Sequence, residues 1–259
     1  MSHYETIAYS HDQSVAVIAI DRPDSMNAFN KTLRLELTDA LSDASNDSAI
    51  RAVILTGNGK AFSAGADLTA GFPEKMTIDA QLQREYRPAF NEIIRMPKPL
   101  IAAINGAAAG IGMSFALVAD LAVMSDQAFM LSPFSTISLV PDGGASWLLQ
   151  KQLGYKRAYQ LAVEAERIDA ARCLEWGLVN RVVPHDEVLS NAIAWGHTLS
   201  ARAPRALKAT KIAMRHAEGN DWASTFDIEA SLQNDLVGSP DNVEGVQAFF
   251  DKRTPNFKG

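Results

Sequence analysis

The sequence predicts an α/β fold followed by a helical C-terminal region. Three observations carry this. Short apolar runs rich in β-branched residues recur along the chain, and segments of helical spacing separate them. After about residue 190 the apolar runs stop and only helical patterns follow. The 259 residues are 47% hydrophobic and 21% charged, which suits one large core or a core with a small appendage.

Taken in order, Val15-Ala-Val-Ile-Ala-Ile20 reads as a buried strand, ended by Asp21-Arg22-Pro23, and 30–41 has helical spacing. Ala52-Val-Ile-Leu-Thr56 is the next strand, turned by Gly57-Asn58-Gly59. A long amphipathic helix is expected over 77–96, stopped by Pro97 and Pro99. Leu100-Ile-Ala-Ala-Ile104 is a third strand, 115–119 a helix, and 121–124 and 128–131 further strands. Cys173 lies in a helical pattern, Asp169 to Gly177, and reads as a small core residue. Pro204 suits the first turn of a helix reaching about His216. A helix over 222–237 is closed by Gly238, and Ser239-Pro240-Asp241 supplies a cap, a first-turn proline and a favourable charge for the last one. The expected division is an α/β core over 1–195 and a helical region over 196–259.

Composition narrows the function. A net charge of −6 argues against broad nucleic-acid binding. One cysteine permits no internal disulfide and fits a cytoplasmic setting. The first twenty residues show no basic stretch followed by an apolar block, so no signal peptide is expected, and no apolar run reaches the ~20 residues of a membrane helix. The five histidines (His3, His11, His185, His197, His216) fall outside every motif, and no Cys/His/acid group has metal-ligand spacing.

Two runs of small residues carry the chemistry. Ala61-Phe-Ser-Ala-Gly-Ala-Asp-Leu68 follows a strand, and Asn105-Gly-Ala-Ala-Ala-Gly-Ile-Gly112 lies between a strand and a helix. Neither is a dinucleotide or P-loop motif. Each leaves backbone N–H groups open to close approach, the second at a helix N-terminus. Two such turns can place two N–H donors on one oxygen, as an oxyanion hole does.

These runs, together with Arg22-Pro-Asp-Ser-Met-Asn-Ala, Lys98-Pro-Leu-Ile-Ala-Ala-Ile-Asn-Gly, Val140-Pro-Asp-Gly-Gly and Trp176-Gly-Leu-Val-Asn-Arg-Val-Val-Pro, resemble the enoyl-CoA hydratase/isomerase (crotonase) superfamily. The tail from Glu244 to Phe257 resembles its C-terminus, so the likeness spans nearly the whole chain. It implies a spiral of ββα units, a helical trimerisation region giving a homotrimer or a dimer of trimers, and an acyl-CoA thioester as substrate. It implies no further cofactor, while the acidic balance and the lack of a long apolar run leave no nucleic-acid or membrane partner expected. By motif position the oxyanion donors are the backbone N–H groups of Ala66 and Ile111. Ala64, Gly65, Asp67 and Leu68 then border the CoA, with Gly110 in the second turn. Arg22 lies near the family's 3′-phosphate region, although the usual second cation is Asp24 here. Lys252 matches a lysine that reaches the CoA of a neighbouring subunit, with Phe249 beside it.

The family varies its acid–base groups. Its hydratases place glutamates where this chain has Ser114 and Phe134, so both hydratase acids look absent. Asp142 resembles the single acid of the Δ3,Δ2-enoyl-CoA isomerases and of the ring-opening isomerases of phenylacetyl-CoA catabolism. Phe134, Leu139 and Trp147, near it in sequence, are expected to raise its pKa by burial. The expected reaction is a 1,3-proton shift by Asp142. The alternatives are a 4-chlorobenzoyl-CoA dehalogenase-like or weak hydratase activity, and a non-catalytic acyl-CoA-binding or RNA-binding relative. Asn91, where the dehalogenases carry a histidine base, counts against the first of these.

Overall fold

The computed structural model describes residues 4–71 and 76–259; His3 lies outside them. The chain opens with a hairpin, β1 (Ile7–Asp12) and β2 (Val15–Ile20), paired antiparallel with Ile7 opposite Ile20. Asn30 caps α1 (Lys31–Asn46) by accepting a hydrogen bond from the Leu33 amide. Then come β3 (Ala52–Gly57) and a short β4 (Ala61–Ser63).

The long helix expected over 77–96 forms in three parts: α2 (Ile78–Gln81), a π-helical stretch over Leu82–Tyr86, and α3 (Arg87–Arg95). The physical reason for the interruption is Pro88. It has no N–H to donate backwards and its ring crowds the preceding turn, so the helix widens just before it. The widened turn buries both Glu85 and Tyr86.

Two more strand–strand–helix passages follow: β5 (Leu100–Ile104), β6 (Ala107–Ala109) and α4 (Ile111–Val118), then β7 (Leu121–Ser125), β8 (Phe129–Leu131) and α5 (Ala145–Leu153). Next come α6 (Tyr155–Glu164), β9 (Ile168–Asp169), α7 (Ala170–Glu175), β10 (Arg181–Val183) and α8 (Val188–Ser200). The chain closes with α9 (Pro204–Ala217), α10 (Trp222–Leu236) and α11 (Pro240–Asp251).

The long strands form one six-stranded sheet in the order β1-β2-β3-β5-β7-β10, parallel after the first hairpin. The short strands form a second sheet, β4-β6-β8-β9, whose first three are parallel. Strands β3, β5 and β7 each hand the chain to a short strand and then to a loop or helix, the ββα spiral that the sequence resemblance implies.

The central strands β2, β3, β5 and β7 of the large sheet are buried on both faces, which is why they read as unbroken apolar runs. Ile18, Leu55 and Ala102 face the main core, while Val17, Ile54 and Ile101 face a smaller cluster that α8 covers with Val188 and Ala192. Emptying one such position, as in Ile18→Ala, costs about 2–5 kcal/mol. Helix α8 thus belongs to the sheet and crosses the 195/196 division expected from sequence.

Beyond it, α9 is tied to the core by two cations. Lys211 Nζ donates to the Ile93 carbonyl and to Asp120 Oδ2, both at 2.7 Å. Arg215 Nη2 donates to the Val118 carbonyl at 2.6 Å and to Asp120 Oδ1 at 3.1 Å. Large apolar side chains stay exposed on the last helices, among them Trp222, Phe226, Phe249 and Phe250.

Candidate active site

The small sheet builds the site. Strands β4, β6 and β8 run parallel, with Ser63 opposite Ala108 and Ala109 opposite Leu131. Parallel neighbours lie about 4.8 Å apart, so the residues just past their C-terminal ends are neighbours too. Those residues are Ala64–Gly65–Ala66, Gly110–Ile111 and Pro133–Phe134.

The first two turns touch through glycine. A methyl added to Gly65 would stand 2.9 Å from the Ala109 carbonyl oxygen and 3.5 Å from the Gly110 Cα. Gly65 has φ +100° and Gly110 φ +55°, both in the region that side chains disfavour. No other residue type fits this contact without strain.

The hydrogen bonding orients the next residues. Ala66 forms a parallel bridge with Phe29, in which the Phe29 amide donates to the Gly65 carbonyl at 2.7 Å and the Asp67 amide to the Phe29 carbonyl at 3.2 Å. In such a bridge the residue between the two bonded groups turns its own N–H to the opposite side. The Ala66 N–H therefore points away from Phe29. Ile111 is the first residue of α4, where an N–H has no partner within its helix. The turn keeps Ala64, Ala66 and Leu68 exposed while Gly65 is buried.

Asp67 braces this turn. Its side chain caps the short 3-10 turn Leu68–Ala70. The Thr69 hydroxyl hydrogen bond, with Arg22 adding to it, holds its carboxyl below the usual range. Arg22 Nη1 pairs with Asp67 Oδ2 at 3.0 Å and also donates to the Ala28 carbonyl. Arg22, expected as a cation near a CoA phosphate, is thus held in the turn's own bracing. Phe249 and Lys252 lie at the end of α11, Phe249 78% exposed and Lys252 at its left-handed C-cap, and neither borders the cavity beside Asp142.

Asp142 sits in the loop before α5, on the wall of a cavity of about 660 Å³. The loop is docked onto the second donor turn. A methyl on Gly143 would stand 2.9 Å from Ser114 Cβ, 2.9 Å from the Phe90 ring and 3.1 Å from Ile111 Cγ1. Ser114, wholly buried on α4, donates its hydroxyl to the Asp142 backbone carbonyl at 3.0 Å. Asp142 Oδ1 is buried and has no hydrogen-bond partner among the described residues. Burial pushes the Asp142 carboxyl up to about 6.

The apolar surroundings of Asp142 differ from those expected. Tyr86, Phe90, Val140 and Trp147 line the cavity with it, and Phe134 and Leu139 do not. Leu139 is half exposed, and Phe134 is buried with its ring near Gly110. The reason is the π turn before Pro88, which brings Tyr86 inward. A stack of Phe29, Phe115 and Phe90, with ring centres 4.9 and 4.1 Å apart, backs that wall. Sequence reading missed Tyr86 and Phe90, whose signal was their four-residue spacing on one helix face, and saw Ser114 only as a missing acid. Among the described residues no cluster of histidine, cysteine or carboxylate side chains gathers to hold a metal, and no helix is long and apolar enough to cross a membrane.

Comparison with known proteins agrees with this architecture. The profile of the enoyl-CoA hydratase/isomerase family matches residues 10–259. A probable enoyl-CoA hydratase of Rhodobacter capsulatus is 40% identical over 256 residues, covering 99% of each chain. The 1,2-epoxyphenylacetyl-CoA isomerase of Escherichia coli is 32% identical over 255 residues and 96% of each chain. The crystal structure of an enoyl-CoA hydratase from Bacillus anthracis superposes with a TM-score of 0.92 at 30% identity, covering 98% of this chain and all of that one. The phenylalanine at 134, the serine at 114 and the aspartate at 142 thus sit on a shared scaffold, and the chain belongs to the enoyl-CoA hydratase/isomerase family.

Proposed function

We propose that the protein is an acyl-CoA isomerase that moves a double bond by a 1,3-proton shift, with Asp142 as its single acid/base. The observation that carries this is the Asp142 carboxyl, raised to about 6 on a cavity wall whose loop packs against Ile111 and Ser114. The substrate thioester oxygen is placed between the N–H groups of Ala66 and Ile111. Asp142 takes a proton from the α-carbon of a 3-enoyl thioester. The electron pair moves into the carbonyl, and the dienolate oxygen carries the charge between the two donors. The same carboxyl then returns the proton at the γ-carbon, leaving a 2-enoyl thioester.

A pKa near 6 suits both halves of this cycle. The group is mostly ionised at neutral pH, yet it holds a proton better than an ordinary aspartate. Each oxyanion donor is worth on the order of 10²–10³ in rate. Hydration asks for more, because one group must activate water while another protonates carbon. Ser114 uses its hydroxyl on the Asp142 backbone, and Phe134 has none. The names of relatives point both ways, one a probable hydratase and another an isomerase, so the acid inventory decides our reading.

The CoA is assigned to the face formed by Ala64, Gly65, Asp67 and Leu68. Arg22 braces that face, and Gly110 and Phe134 close its far side. Lys252 and Phe249 are assigned to a neighbouring subunit's CoA in a homotrimer, an arrangement that their exposure supports. The protein is placed in the cytoplasm. The test offers purified protein 3-hexenoyl-CoA and 2-hexenoyl-CoA separately. Isomerisation of the first, lost in Asp142→Asn, supports the mechanism. Isomerisation that survives in Asp142→Asn, or brisk hydration of the 2-enoyl thioester, overturns it.

A further inference from the structure

The cavity beside Asp142 has a second, charged wall that the proton shift does not use. Gln83, Arg87 and Asn91 line it at four-residue intervals along one helix face. Arg215 and Glu218 of α9 line it as well. Their charges are not equivalent. Arg215 is neutralised by Asp120 at 3.1 Å and Glu218 at 3.6 Å. Arg87 has no carboxylate within ion-pair distance among the described residues. Its one side-chain hydrogen bond among the described residues runs from Nη1 to Gln83 Oε1 at 2.7 Å, which orients the guanidinium without cancelling its charge. Among the described residues, the lining beyond Asp142 therefore carries one uncompensated positive charge.

The acid and the cation enter the cavity from different elements: Asp142 from the loop before α5, and Arg87 from the start of α3, which is its cationic end. Resting on the reading above, in which the thioester sits at the Ala66 and Ile111 turns, the acyl chain is the part of the substrate that reaches the cationic end.

We propose that Arg87 receives a carboxylate at the far end of the acyl chain, so that the preferred substrates are thioesters of dicarboxylic acids. The guanidinium fork matches a carboxylate with two parallel N–H donors. The Asn91 side chain lies one helical turn further along the same wall. A plain alkyl chain leaves the cation solvated and gains nothing from it.

Binding of saturated thioesters tests this without any proton transfer. The probes are adipyl-CoA against hexanoyl-CoA, and suberyl-CoA against octanoyl-CoA, measured by calorimetry on wild type and Arg87→Gln. Position 87 is exposed, so glutamine there keeps the helix. The expected result is about tenfold tighter binding of a diacid thioester in at least one pair, falling with added salt and abolished in Arg87→Gln. No preference in wild type overturns the assignment. So does a preference that survives Arg87→Gln or is indifferent to salt. Equal weakening of both members of each pair overturns it too, because it would place Arg87 on the CoA moiety that they share. Loss of isomerisation in Asp142→Asn is read on 3-hexenoyl-CoA, so either reading can fail while the other stands.

Discussion

The two halves of the candidate site are built by opposite means. The donor turns at Gly65 and Gly110 consist of backbone, closed on each other so tightly that a methyl at Gly65 meets the Ala109 oxygen at 2.9 Å. The acid loop at 140–143 depends on one side chain, whose Oδ1 is buried without a partner among the described residues. The first half is over-determined: two parallel strands, two glycines at positive φ and the Arg22–Asp67 pair fix it. The second is under-satisfied, and burial raises its carboxyl. Backbone donors stabilise charge on a thioester oxygen whatever happens at the neighbouring carbons. In the mechanism proposed above, the side chain opposite decides which proton moves. A scaffold of this kind can keep the first half while the second changes its chemistry.

The largest expected effect falls on the acid. Asp142→Asn keeps the loop's shape and removes the base, and isomerisation should fall on the order of 10³–10⁴-fold. In wild type, kcat/KM should drop about tenfold per pH unit below about 6 as the raised carboxyl takes up its proton. A profile flat down to pH 4.5 would remove Asp142 from the mechanism. The next effect falls on the backbone half. Gly65→Ala must displace the Ala109–Gly110 turn, so one donor leaves its place and the rate should fall by about 10²–10³. If Gly65→Ala folds and keeps its rate, the donor turn is not where the oxyanion forms.

A third measurement separates the halves by stability. Asp142 has its folded pKa raised, so above about 6 its charge is a cost to the native state. As pH falls from about 6 towards 3.8, the native state takes up the proton before the unfolded chain does, and the cost is relieved. Asp142→Asn should therefore be more stable than wild type at pH 8, by at most about 3 kcal/mol, and no more stable near pH 4. Gly65→Ala should be less stable at every pH, since its strain is steric. Urea unfolding of the three proteins at both pH values reads the contrast. Equal stability changes at pH 8 and pH 4 for Asp142→Asn would mean that its carboxyl is not strained in the native state.

The two halves also differed in how far the sequence revealed them. The donor turns were legible because the signal was local: small residues and glycine after an apolar strand. The central strands of the large sheet were legible for a related reason, since strands buried on both faces are apolar at nearly every position, as in Val15–Ile20; the edge strands β1 and β10, more exposed, were not. Of the short strands, β8 was legible as the apolar run 128–131, while β4 and β6 were not. Ala107–Ala109 pairs with Ala61–Ser63 through alanines, which carry little β preference, and its pairing comes from neighbours distant in sequence. The environment of Asp142 was the least legible. Its wall is supplied by Tyr86 and Phe90, brought inward by a π turn that the helical pattern of 77–96 does not announce. Nearness along the chain suggested Phe134 and Leu139 instead. A carboxylate's pKa depends on what surrounds it in space, and no local pattern encodes that.

The smallest effect addresses Ser114, where the halves meet. Its hydroxyl donates to the Asp142 carbonyl at 3.0 Å, while its Cβ packs where Gly143 passes. Ser114→Ala keeps the packing and removes only that bond, worth about 1 kcal/mol. If the bond holds the acid loop over the donor turns, kcat should fall about fivefold while KM and the pH dependence stay put. The carboxyl would keep its buried surroundings, and so its pKa, but would spend less time aimed at the α-carbon. If Ser114 only fills the core, the substitution lowers the melting temperature and leaves kcat unchanged. The first outcome would mean that the residue standing where hydratases carry an acid has a positioning role in its place. Under the isomerase reading proposed above, the serine at 114 would then be a replacement of function at that position and not merely a loss.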